Sequence, residues 1–171
     1  MPLKSDDASE AELATAFQKI GALIVAASQL DVSISKLIAA MTEMAENPAA
    51  DMLIHSIDLS RKRQIIESYC SMFAGTGIDF IDRLTKFAGD LKPVIDDRNT
   101  AAHGLLKPHN GKLCVSGYAA VRHFRNTGKE LRDEYPTHLS IDSMDSKISR
   151  CLRLDREAEL LANFFAALHK K

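Results

Sequence analysis

The residues with the most evident capacity for chemistry lie together in Asp96-Asp97-Arg98-Asn99-Thr100-Ala101-Ala102-His103-Gly104. Arginine presents a fixed fork of donors that suits phosphate oxygens. Histidine has an ordinary pKa of about 6.5, so it can take or give a proton near neutrality. The small residues between them would let a second helix or chain come close. A plainer role stands beside this one, because Arg and His in a last helical turn also favour the dipole and cap free carbonyls. Geometry constrains both. On an ideal helix, residues 98 and 103 point about 140° apart, whereas 99 and 103 differ by only about 40°. One straight helix does not aim Arg98 and His103 at one phosphate. A distorted last turn, the reach of the Arg side chain or a second copy of the chain must close the gap.

Several elements have to hold that segment. Leu13, Phe17, Ile20, Ile24, Ala27, Asp31, Ile34, Ile38 and Met41 alternate steps of four and three, and Leu23, Leu30, Leu37 and Met44 add a second row. This predicts a long helix over 9–46 with Ser9-x-x-Glu12 as its capping box and Gly21 as a candidate break. Asn47-Pro48 should end it. Shorter helices are expected over 51–57 and, capped by Ser60, over 60–74 with Ile65, Ile66, Tyr69 and Phe73 inward. A fourth helix should start near Asp79, bury Ile81, Leu84, Phe87, Leu91, Val94 and Ile95, and be kinked or restarted at Pro93. Gly104 and Pro108 should stop it. After the turn signal Asn110-Gly111, residues 112–126 lean towards strand, as do 137–141 more weakly. A last helix then carries Ile148, Cys151, Leu154, Ala158, Leu161, Phe165 and Leu168 at helical spacing. The expected fold is all-α: one domain over 1–171, a bundle of about four to five helices, with a flexible 1–8 and a small β-hairpin insert at 109–141 before the last helix.

Arg98-Asn99-x-x-x-His103-Gly104 resembles the Arg-polar-x3-5-His signature of the HEPN superfamily. The order of elements is similar too: a long first helix containing Ala27-Ser28-Gln29-Leu30-Asp31, an intermediate helix pair, the motif and a final helix. The resemblance runs over about 10–168. It implies a metal-independent endoribonuclease that works as a homodimer, with the motif residues of both copies lining a shared cleft. Such proteins serve as toxins or in phage defence, so an antitoxin or a defence-system protein is an implied partner. The catalytic set carried over is Arg98 on the scissile phosphate, Asn99 orienting, and His103 moving the proton of the ribose 2′-hydroxyl or the leaving oxygen. The use of that hydroxyl makes RNA the substrate. Asp31 would support the site. It stands in the apolar row, where a carboxylate is costly unless paired, and Arg98 is its expected partner. A HEPN-like binding or regulatory module without activity, and a purely structural helical dimer, are the alternatives.

Other signals point elsewhere or nowhere. His55, His103, His109, His123, His138 and His169 share no ligand spacing, and no Cys completes a zinc pattern, so no metal and no cofactor are expected. No phosphate loop or nucleophile elbow occurs. Arg61-Lys62-Arg63 opens a helix, where cations are disfavoured by the dipole, so a compensating acid or ligand is expected. Arg122, Arg125 and Lys129, interleaved with Phe124, are candidate RNA contacts. With 22 Lys and Arg against 23 Asp and Glu, the net charge of −1 offers no bulk attraction to nucleic acid, and any RNA binding must be local. Hydrophobic residues at 46% exclude a disordered chain. No charge-free run is longer than Ile20 to Leu30, which is too short for a membrane span. With no apolar leader at the start and three scattered cysteines, Cys70, Cys114 and Cys151, the expected location is the cytoplasm, with reduced thiols.

Overall fold

The computed structural model describes residues 9–44, 46–75, 79–109, 112–118 and 136–168. The chain is mostly helical there. Helix α1 (Glu10–Met41), α2 (Pro48–Ser56), α3 (Leu59–Met72) and α4 (Asp79–His103) come first. Strands β1 (Leu105–His109), β2 (Lys112–Tyr118) and β3 (Pro136–Ser140) follow, then a 3-10 turn over Ile141–Ser143 and α5 (Met144–Leu168). The strands form one antiparallel sheet in the order β1-β2-β3, placed between the fourth and fifth helices as the β-leaning composition predicts. Strand β1 is an addition. The insert has three strands among the described residues, and the first begins immediately after the helix that carries the motif.

The capping box at Ser9 is present: Ser9 Oγ accepts from the Glu12 N–H and the Glu12 carboxylate accepts from the Ser9 N–H. Thirty-two residues give α1 a length of about 48 Å. It runs through Gly21 without a break and stops at Met41, short of the expected 46. By length and composition α1 is also apolar enough to cross a membrane, and 56% of its most apolar window is buried inside the bundle. That is how a core helix uses such a sequence. The boundaries of the next two helices differ from expectation because their caps do. Asn47 Oδ1 accepts from the N–H groups of Ala49 and Ala50, which starts α2 at Pro48. Asp58, not Ser60, caps α3 by accepting the Arg61 N–H at 3.0 Å. Helix α4 continues through Pro93 to His103.

The core forms between α1, α4 and α5, with α3 closing one side. Leu23, Leu30, Ile34 and Leu37 of α1, Leu84 and Leu91 of α4, and Leu154 and Leu161 of α5 are all fully buried or nearly so. Tyr69 and Phe80 meet Phe165 edge-on, at ring-centroid distances of 5.7 and 4.9 Å. Ion pairs stitch the helices at their rims: Lys19 with Asp145 at 2.6 Å, Arg83 with Glu157 at 2.6 Å and Lys147 with Asp97 at 2.7 Å. Two members of the first helix's apolar rows are not inside. Phe17 is 63% exposed and Met44 46% exposed. The three cysteines are free and buried.

The candidate site at the end of the fourth helix

Helix α4 delivers the motif to a junction with the sheet. The Gly104 N–H donates to the Thr100 carbonyl at 2.8 Å, closing the helix. A Cβ at Gly104 would lie 2.5 Å from that carbonyl oxygen, 2.5 Å from Cγ1 of Val115 and 2.9 Å from the Ser116 carbonyl oxygen. Glycine is therefore required by close approach of β2, whatever the backbone angles. Val115 is buried, and it pairs in register with Leu106 of β1 and Leu139 of β3. The sheet thus braces the helix end that carries Arg98, Asn99 and His103. On the other side Asp97, 16% exposed, is tied to Lys147 of α5.

Arg98 and Asn99 face a cleft of about 170 Å³ between three helices. Ile95 belongs to the same wall. Helix α1 contributes Ala27, Ser28 and Asp31, and the start of α3 contributes Asp58, Leu59 and Ser60. Arg98 is half-buried, and its Nη1 donates to Oδ1 of Asn99 at 3.2 Å. The sequence-predicted residues Arg98, Asn99 and Asp31 are therefore brought together within the single chain.

His103 is not brought with them. It is the last residue of α4, exposed, and outside the residues that line the cleft. Because the helix continues to its end, the angular offset between positions 98 and 103 stands. Arg122, Arg125 and Lys129 lie outside the described residues.

The partner of Asp31 is a correction. Its Oδ1 accepts from Nζ of Lys62 at 2.8 Å, and among the described residues Arg98 makes no ion pair. Lys62 lies one turn inside α3, on the face that packs towards α1, and its side chain is completely buried. A buried ammonium demands a carboxylate, so Lys62 takes Asp31 while Arg98 stays at the rim. The same pair answers the cationic opening of α3: Asp58 caps the helix, Asp31 neutralises Lys62, and Arg63 bonds Glu67 and the Ala88 carbonyl. Lys62 is the residue that reasoning from the sequence missed. The only signal for it was the mismatch of three cations with a helix N-terminus.

Chemically, the chain offers a fixed carboxylate, an amide and a guanidinium around a small cleft, with an imidazole at the same helix end but outside that lining. Among the described residues no three His, Cys, Asp or Glu side chains gather as a metal site would require. Comparisons with protein-family models, with curated proteins and with solved structures give no match.

Proposed function

We propose that this chain is a metal-independent endoribonuclease of HEPN type, acting as a homodimer, with a role in a toxin or phage-defence system. The observation that carries this is the meeting of Arg98 and Asn99 with Asp31 in one cleft at the end of α4. Arg98 neutralises charge building on the scissile phosphate. Asn99 holds the Arg98 guanidinium through their mutual hydrogen bond. His103 acts across the two-fold axis, its imidazole reaching the cleft of the other copy and moving the 2′-hydroxyl proton there.

The dimer has support of its own. Phe17, Val25 and Val32 are 63%, 58% and 43% exposed, and by helical spacing they flank Ser28, which lines the cleft. Their exposed strip on α1 suits a second copy placed beside the site. One observation favours the second reading, a binding or regulatory module without activity: His103 stands outside the cleft of its own protomer.

End-group analysis of a defined RNA separates the two. The enzyme leaves a 2′,3′-cyclic phosphate and a 5′-hydroxyl, spares DNA, keeps its rate in EDTA and loses it in His103→Ala. A 5′-phosphate product or loss of activity with chelator overturns this mechanism, and an intact rate in His103→Ala removes the histidine from it.

A further inference from the structure

The completely buried Lys62 is not part of the chemistry above, yet it sits directly behind the cleft. Its ammonium cannot reach a ligand, since none of its side chain is exposed. Among the described residues its one ion pair is with Asp31, through the 2.8 Å contact to Oδ1. Asp31 is 36% exposed and lines the cleft, so one edge of a firmly held carboxylate is presented to whatever enters. The other carboxylate there, Asp58, caps α3 through its Oδ1 and, among the described residues, has no buried cation holding it in place as Lys62 holds Asp31.

The remaining walls describe the guest. Ala27, Leu59 and Ile95 are apolar and suit the faces of a flat ring, while Ser28 and Asn99 add polar groups at the rim. A volume of about 170 Å³ amounts to about six waters, room for one heterocycle. A carboxylate only accepts hydrogen bonds. Among the RNA bases, guanine alone places two donors side by side on its pairing edge, N1–H and the 2-amino group. Adenine and cytosine set an acceptor beside their single amino group, and uracil flanks its N3–H with two carbonyls. Unpaired RNA bases are read on these edges.

We infer that the cleft is a guanine-selective subsite, in which Asp31, held by Lys62, accepts the N1–H and 2-amino protons of one base while Arg98 meets an adjacent phosphate. As a specificity element of cleavage this rests on the ribonuclease reading; as a binding site it does not. Lys62 is a positioning residue and Asp31 the recognising one. A site built around hydrogen bonds to one ligand strongly rejects the analogue that lacks them.

The test uses the native protein with GMP, IMP and AMP, followed by NMR titration. IMP keeps N1–H but lacks the 2-amino group. GMP is expected to bind at least about tenfold more tightly than IMP or AMP, and Asp31→Asn, which turns one acceptor into a donor, is expected to erase the difference. Equal affinities, or no binding of any of the three at millimolar concentration, overturn the proposal without need of a variant. Cleavage mapping on a random RNA pool then separates the two readings. Cutting without preference for guanine sinks this inference and leaves the ribonuclease standing. Guanine-selective binding with no cleavage sinks the ribonuclease and leaves this inference standing.

Discussion

Nζ of Lys62 lies 2.8 Å from Oδ1 of Asp31, and the lysine side chain is wholly buried while the aspartate is 36% exposed. The pair joins α3 to α1 at the back of the cleft. An ammonium withdrawn from water is tolerable only beside its carboxylate, so the two residues fail separately and succeed together. Asp31→Leu, which strands the lysine, is expected to lower stability by about 3 kcal/mol, the low end for a buried pair because one partner is partly solvated. Adding Lys62→Met should recover most of that loss. Urea unfolding of the two single variants and the double variant measures the coupling, and additive losses would show that the pair contributes nothing.

Gly104 should tolerate no side chain. The Cβ of Gly104→Ala would press on Thr100, Val115 and Ser116 at 2.5–2.9 Å, two of these contacts being to backbone oxygens that cannot rotate away. A loss of about 2–3 kcal/mol is expected. His103→Ala, one residue earlier, removes an exposed ring and should leave the melting temperature nearly unchanged. Thermal denaturation of the two variants side by side checks the contrast.

The exposed strip on α1 predicts a particle of twice 18.8 kDa by light scattering. Val25→Glu places a charge in the middle of that strip, where the protomer itself makes little use of the side chain. It should give a folded monomer with lost cleavage, since each His103 would lack its cleft. A native dimer unchanged by Val25→Glu would move the interface elsewhere.

Cys151 of α5 is buried, and burial first, with the nearby Asp97 charge second, pushes its thiol up to about 11. The unfolded thiol ionises nearer pH 8.5. Between those two values the native state holds a proton that the unfolded state releases, so this contribution to stability is complete below about pH 8.5 and is lost as pH rises towards 11. Unfolding free energy should fall over that range, less steeply in Cys151→Ala. The native thiol should also resist alkylation at pH 8 and react only after denaturation.

Much of the fold is legible in the sequence because helices are local. The spacing of Ile81, Leu84, Phe87, Leu91 and Val94 can be read without knowing what they pack on, and all five are buried. The same holds for Cys151, Leu154, Ala158, Leu161 and Phe165. Caps are local too, but Asp58 and Ser60 compete for one helix start, and the choice shifts the boundary by a turn or less. Strand β1 is hidden because Leu-Leu-Lys-Pro-His carries little strand propensity of its own. Its pairing with β2 supplies the ladder that makes it a strand.

The motif's residue types and its place at a helix end are matters of sequence alone, and so is the angular offset between Arg98 and His103, since it follows from 3.6 residues per turn. Which carboxylate faces which cation is decided only by tertiary structure. Asp31 and Lys62 are 31 positions apart, and nothing in the spacing distinguishes Lys62 from Arg61 or Arg63 as the partner. The packing of α3 on α1 makes that choice by turning Lys62 inward, where desolvation leaves it one acceptable neighbour. Arg98 is thereby left lining the cleft, without the Asp31 carboxylate that is its expected partner from the motif.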